Sequence, residues 1–365
     1  MRIGLNLLYL VPGRVGGTEI YARHLVGALA RLRPDDEFVA FAGEEAAPAL
    51  AGWPSNVAIR RLPVRATVKP LRIAAELSLL PAAAARARVD VLHSVGTTAP
   101  IVTGRPSVVT IHDLIYEHFP ATFPPAARAG LRALVGPGAR RATRVHAISE
   151  FTKQDVVAHL RVPPDRIDVV LNGFGIEPSA SPTPPGELRD RYGLGDERVV
   201  LCVSAALEHK NLARLIEATR GIDARLVIAG HSGRERFGDV AGVTFTGWLD
   251  DADLEGLYRL AACAVYPSLF EGFGMPALEA MARDVPLACS TATSLPEVTG
   301  DAAELFDPTD LDAMRAAVER LLADRARADE LVARGRERVK AFTWERCAQG
   351  VWEIYEKAAR SPAST

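Results

Sequence analysis

Two glutamates with seven residues between them, Glu271 and Glu279, bracket the stretch Gly272-Phe273-Gly274-Met275-Pro276. Glycines before a helix start leave backbone amides, here those of Phe273, Gly274 and Met275, able to face an anion or a polyol, and Pro276 suits a first helical turn. Carboxylates on either side accept from hydroxyls while the amides donate, a pairing suited to sugar; a helix cap alone would need only one acid. Lys210, in Glu208-His209-Lys210-Asn211, is one of five lysines among 43 basic residues. In so arginine-biased a chain, a lysine beside a helix start suggests a compact charge for phosphate, against the plain alternative of a solvated surface lysine. His112-Asp113 ends an apolar run; His112 can donate a hydrogen bond or handle a proton near neutral pH, or the pair can be purely structural. Gly16-Gly17-Thr18-Glu19 is either an anion-binding helix start or a tight turn. It is not G-x-G-x-x-G, which counts against a dinucleotide cofactor, and no G-x-S-x-G elbow supports a serine hydrolase.

All four segments follow short apolar runs, and this dictates what must hold them. Strands are expected at Ile3–Val11, Phe38–Ala42, Val89–His93, Ser107–Ile111 and Val145–Ile148. A second series covers Val199–Ser204, Ala224–Ala229, Val243–Thr246, Cys263–Tyr266 and Val285–Cys289. Helical patterns alternate with them, Glu19–Leu32 first and Thr343–Ala359 last. The expected class is α/β: two doubly wound Rossmann-like domains of parallel strands, with ligands at the carboxyl ends of the strands and a cleft between the domains. Pro178–Gly186, with four prolines, reads as a semi-extended connector. The expected division is residues 1–177, a linker at 178–188, a second domain at 189–342 and a terminal helical segment at 343–365.

Composition narrows the classes. With 48% hydrophobic and 24% charged residues, the 365-residue chain is globular in type. A net charge of −2 argues against a nucleic-acid coat, and no nucleic-acid partner is expected. That total conceals an asymmetry: residues 1–177 hold 21 basic and 15 acidic groups, net +6, and the rest hold 22 and 30, net −8. Cys202, Cys263, Cys289 and Cys347 form no C-x-x-C pair, so zinc and redox motifs are not indicated and buried thiols are expected. The N-terminal apolar run lacks a signal cleavage site, and no run of 18 apolar residues exists, so a cytoplasmic location is expected.

The Glu271/Glu279 segment, Glu-Gly-Phe-Gly-Met-Pro-Ala-Leu-Glu, resembles the E-x7-E signature of retaining glycosyltransferases of family 4, which have the GT-B fold. Gly16-Gly17, His112-Asp113-Leu114, Ser149–Thr152, Asn172-Gly173, Lys210-Asn211 and Leu295–Val298 fall in the family's order, so the resemblance covers nearly the whole chain. It implies hexosyl transfer from a nucleotide sugar (GDP-, UDP- or dTDP-linked) to a hydroxyl acceptor with the anomeric configuration kept. The second domain would hold the donor, and the last helix would return to the first. Glu279 would accept from the ribose; Glu271 and the Phe273–Met275 amides would hold the sugar. Lys210, aided by Gly16 and Gly17 across the cleft, would neutralise the departing diphosphate, the main catalytic task. His112 would lie at the anomeric centre with Asp113 on the acceptor side. Gly230, Trp248 and Leu249 would border the base. No metal and no cofactor are expected, and the departing phosphate itself would deprotonate the acceptor.

One position departs from the family: where relatives carry an arginine five residues before the lysine, this chain has Ala205, so either His209 or a nearby arginine replaces it or the diphosphate is held with one fewer cation. A sugar-nucleotide 2-epimerase and a non-catalytic sugar-nucleotide sensor are the alternatives; E-x7-E is not the signature of the former. Arg60, Arg61, Arg65, Lys69, Arg72, Arg86 and Arg88 flank an apolar helical stretch from Leu71 to Pro81, and Arg128, Arg132, Arg140, Arg141 and Arg144 form a second basic set. Either a solvated arginine-rich face or peripheral contact with an anionic membrane, and a lipid-linked acceptor, would account for them.

Overall fold

The structure is a computed structural model that describes residues 1–13, 16–46, 50, 52–175 and 179–361. It divides into two compact units. The first comprises Met1–Gly173 with Phe342–Thr365, the second Phe174–Ala341.

In the first unit the strands are β1 (Arg2–Leu7), β2 (Glu37–Ala42), β3 (Val57–Arg61), β4 (Val91–Ser94), β5 (Ser107–Ile111), β6 (Arg144–Ala147) and β7 (Ile167–Val169). They form one parallel sheet in the order β3-β2-β1-β4-β5-β6-β7. Strand order reverses between β1 and β4, the place where open α/β sheets bind ligands. The central strands are buried on both faces, which explains their continuous apolar runs. Expected strand Ile3–Val11 is shorter in fact. Asn6 accepts the Leu8 amide through its side chain at 3.2 Å, and the Leu10 amide returns to the Leu7 carbonyl, so the chain turns after Leu7.

The terminal helix Trp344–Arg360 is capped by Thr343, whose hydroxyl accepts the Arg346 amide at 3.2 Å. It belongs to this first unit. Trp344, Val351, Trp352, Ile354 and Tyr355 enter the same core as Ile3, Leu5, Leu25 and Phe38. Gly173 makes the fit possible, because a Cβ there would stand 2.5 Å from the Trp344 ring. Within the core, the Tyr355 hydroxyl pairs with His93 Nδ1 at 2.7 Å, and Thr110 links His93 Nε2 at 2.8 Å to His146 Nδ1 at 3.0 Å.

The second unit holds β8 (Val199–Val203), β9 (Arg225–Ala229), β10 (Val243–Gly247), β11 (Ala261–Tyr266), β12 (Leu287–Ser290) and β13 (Glu304–Phe306), parallel in the order β10-β9-β8-β11-β12-β13. Here the order reverses between β8 and β11. The expected connector is partly helical: Pro184 and Pro185 open a helix over Pro185–Tyr192, since proline costs nothing at a first turn whose N–H has no intrahelical partner. Its first residue, Pro178, lies outside the described residues, and the units divide after Gly173 rather than after residue 177. All four cysteines are buried free thiols; burial pushes Cys202 and Cys263 up to about 12. No described helix is long and apolar enough to cross a membrane.

Candidate functional site

In the second unit, the segments singled out above leave the carboxyl ends of neighbouring strands. The Lys210 segment follows β8 and the Glu271 loop follows β11, so they flank the point where strand order reverses. After β8 the chain forms a short 3-10 turn, Glu208–Lys210. Asn211 then adopts a left-handed conformation at φ 60°, and its side-chain Nδ2 donates to the Pro267 and Pro308 carbonyls at 3.1 and 2.7 Å. The Leu269 amide donates to the His209 carbonyl at 2.7 Å. These bonds fasten the lysine segment to the loop after β11.

Lys210 Nζ lies 2.6 Å from Glu271 Oε1 and 3.2 Å from the Tyr266 hydroxyl, which itself donates to Glu271 Oε1 at 2.6 Å. The lysine and glutamate side chains are only 17% and 12% exposed. Burial alone would raise the Glu271 carboxyl, but the Lys210 ammonium and the Tyr266 hydroxyl outweigh it and hold it below the ordinary range. The pair sets a cationic and an anionic group side by side at this loop, one able to meet an anion and the other to accept from a hydroxyl.

The loop's shape is set by Gly274 at φ 113° and by Ser294, whose hydroxyl donates to the Glu271 and Phe273 carbonyls at 2.9 Å each. A Cβ on Gly274 would stand 2.6 Å from Leu295. The Glu271 amide donates to Thr293 Oγ1 at 2.9 Å. Phe273 and Gly274 are buried and Met275 half-buried. Glu279 lies one turn into the helix Met275–Ala282 and accepts the Tyr258 hydroxyl at 3.2 Å. Burial raises its carboxyl despite Arg283. Tyr266, Tyr258, Thr293 and Ser294 were not singled out from sequence; a polar-tipped aromatic ending the apolar strand β11 was the available signal for Tyr266.

Gly230 and Trp248 follow β9 and β10. Gly230 donates to the Gly247 carbonyl at 3.0 Å, and a Cβ there would strike the Ser204 carbonyl at 2.3 Å, so backbone packs on backbone. Trp248 is 75% exposed and stacked on His231 with ring centres 5.0 Å apart, a flat platform for a planar ring; Leu249 is half-buried beside it in sequence. His209 does not replace the family arginine as a cation. Burial and the Lys210 charge push it down to about 4, leaving it neutral. Arg236 Nη1 instead donates to the Ala206 carbonyl, next to Ala205, at 2.8 Å. Asp251-Ala252-Asp253 has D-x-D spacing, yet Asp253 is committed to Arg191 and to Thr183 at 2.6 Å.

The first unit places Gly16 at the start of the helix Gly17–Leu32 at φ 58°, and a Cβ on either glycine would meet open space. The Glu19 carboxylate folds back to accept the Gly13 amide at 2.8 Å. His112 follows β5, buried beside Tyr21, with Nε2 on the Val95 carbonyl at 2.9 Å. Burial pushes it down to about 4, so the imidazole is neutral at pH 7, a form that can donate or accept a hydrogen bond. Asp113 accepts the Ile115 amide at 3.0 Å, shaping the turn it opens.

Residues 186–338 match the family Glycosyl transferases group 1, and residues 15–177 match Glycosyltransferase Family 4. The O-antigen chain mannosyltransferase B of Escherichia coli is 30% identical over 68% of this chain and 70% of its own length. The serotype-specific mannosyltransferase WbdA of Escherichia coli is 32% identical over 62% of this chain, which spans only 30% of that longer protein. Among solved structures, sucrose-phosphate synthase from Thermosynechococcus elongatus aligns with a TM-score of 0.75 at 22% identity, covering 98% of both chains. Anabaena HepE, solved with UDP and glucose, aligns with a TM-score of 0.69 at 19% identity, covering 97% of this chain and 98% of its own. The two sheets and these likenesses are those of the two-domain GT-B fold.

Proposed function

The chain belongs to the family 4, group 1 glycosyltransferases, and from that premise we propose that it moves a hexosyl group from a nucleotide sugar to a hydroxyl acceptor with retention of configuration. The observation that carries this reading is the Lys210–Tyr266–Glu271 cluster at the strand reversal of the second unit. Departure of a nucleoside diphosphate leaves negative charge, and Lys210 supplies a fixed positive charge to receive it, while the Phe273–Met275 amides face the sugar. Glu271 holds hydroxyls of the sugar, Glu279 accepts from the ribose, and the exposed Trp248 stacks on the base with Gly230 and Leu249 at its border. Arg236 takes the place of the family arginine. On the acceptor side, neutral His112 donates to or accepts from the sugar and acceptor, Asp113 shapes its turn, and Gly16 and Gly17 offer amides to phosphate. The freed phosphate oxygen takes the acceptor proton. The step uses no metal: Asp253 is already bonded to Arg191 and Thr183, and a lysine stands where charge develops.

A mannosyl donor is favoured, because the relatives named above are mannosyltransferases and another, 30% identical, is named as GDP-mannose-dependent. A lipid-linked acceptor is favoured by the first unit's surface. Val68, Leu71, Leu77 and Leu79 are exposed large apolar side chains around the helix Lys69–Leu77, next to Arg65 and Lys69. Both basic sets are partly paired, Arg132 with Glu117 and Arg144 with Asp168 in the second and Arg61 and Arg65 with Glu44 in the first; the first is favoured for anionic lipid because its Lys69 stands beside the exposed Val68 and Leu71. The test is nucleoside diphosphate release from GDP-, UDP- and dTDP-hexoses with and without polyprenyl-linked acceptors. Turnover that follows the donor and fails in Lys210→Met supports the reading; binding without turnover of any donor favours a sensor.

A further inference from the structure

Far along the chain from the donor residues, two short segments of the first unit converge. The helix Ile115–His118 ends on His118. The helix Glu150–Asp155 passes into a π-turn over Val156–Leu160, a rare geometry that is frequent at functional sites. His118 Nε2 lies 2.7 and 3.0 Å from the two Asp155 oxygens, and His159 Nε2 lies 3.4 Å from Asp155 Oδ1. The three donor atoms all fall within 4.8 Å of one another. Asp155 is buried, while both imidazoles are exposed at their outer edges, with ring centres 5.1 Å apart.

We propose that His118, Asp155 and His159 form a binding site for one divalent cation of the zinc type. Around a tetrahedral zinc with bonds of about 2.0–2.1 Å, neighbouring donors stand about 3.3 Å apart, so small side-chain rotations seat the ion. Two imidazoles and one carboxylate suit zinc and its first-row neighbours rather than calcium or magnesium, which prefer oxygen. The nearby acid Glu117 is held by Arg132 and Arg128 and does not compete. The exposed edges of both histidines leave the fourth position to water. Bound there, the ion ties the segment six residues beyond His112 to the π-turn, two pieces of chain 37 residues apart. This stiffens the unit without entering the transfer step.

The experiment is calorimetric titration of zinc chloride into the tag-free full chain, stripped with EDTA and dialysed. Expected is one ion per chain in the wild type, a rise in melting temperature on loading, and affinity at least about 100-fold weaker in His118→Gln/His159→Gln, since loss of even outer-sphere partners costs 10–100-fold. The four cysteines are buried and do not supply a competing site. No one-to-one binding by the wild type, or equal binding by the double variant, overturns the proposal. If that variant does not fold, the single His159→Gln, altered only at an exposed side chain, carries the same comparison.

Discussion

Replacing Lys210 with methionine removes the cation from a pair whose charged atoms stand 2.6 Å apart. At an effective dielectric of about 20, that separation corresponds to roughly 6 kcal/mol of direct attraction, most of it offset by desolvation. Removing one member of a buried pair costs about 3–5 kcal/mol, because the other charge is left without compensation. Here the partners are 17% and 12% exposed and Tyr266 still donates to Glu271, so the low end applies: about 3 kcal/mol. For a unit of this size that lowers the melting temperature by roughly 6–12 °C. The double variant Lys210→Met/Glu271→Gln removes both charges and is predicted to lose under about 1 kcal/mol, while Glu271→Gln alone leaves the Lys210 charge uncompensated and destabilises as Lys210→Met does, so the double variant falls well short of the sum of the two singles. Urea unfolding followed by circular dichroism reads all four proteins. The pH dependence has a definite sign. In the wild type Glu271 sits below the ordinary carboxylate range, so its contribution is complete above about pH 4.3 and is lost as pH falls through its folded value. In Lys210→Met burial dominates and raises Glu271, so the variant's deficit shrinks as the solution is acidified. A single variant as stable as wild type, or a double variant no better than the single, refutes the electrostatic reasoning.

Four further outcomes follow from other residues. Glu279→Gln weakens donor KM by about 10–100-fold, the worth of hydrogen bonds to a charged acceptor, with the fold unchanged. Because burial raises this carboxyl, donor KM in the wild type worsens on acidification earlier than for an ordinary glutamate, and the Gln variant lacks that dependence. Gly274→Ala places a Cβ 2.6 Å from Leu295 at φ 113°, costing about 1–3 kcal/mol and most of the activity, seen in paired melting and turnover measurements. Gly173→Ala drives into Trp344 and loosens the terminal helix, visible as faster proteolysis after residue 342. His112, His146 and His209 are held near 4, so between about pH 6.5 and 4 the unfolded chain binds protons that the folded one refuses. Stability then falls by up to about 1.4 kcal/mol per pH unit for each, measured by denaturation across that range.

What the sequence disclosed follows from where each element lies. Strands β1, β2, β5, β8, β9 and β11 are central and apolar on both faces, so their runs stood out. The three strands not anticipated, β3, β7 and β13, are sheet edges of five, three and three residues, and β3 carries Arg60 and Arg61 because one side meets solvent. In the site, Glu271, Glu279 and Lys210 were legible because glycines and a rare lysine mark the loops after strands. Most of their supports were not: Tyr258 reaches Glu279 from 21 residues away through tertiary packing, and Ser294 meets the loop from 21 and 23 residues away. The protonation of His112 and His209 was equally hidden, since burial, not residue type, decides it.

The central claim is tested most directly by following the anomeric configuration of the product by proton NMR as the enzyme turns over a GDP-α-hexose with a hydroxyl acceptor, GDP release being monitored in parallel. Expected are an α-linked product and one GDP per transfer, with release falling by about 100-fold or more in Lys210→Met. A β-linked product, or undiminished release from the Lys210 variant, contradicts that claim.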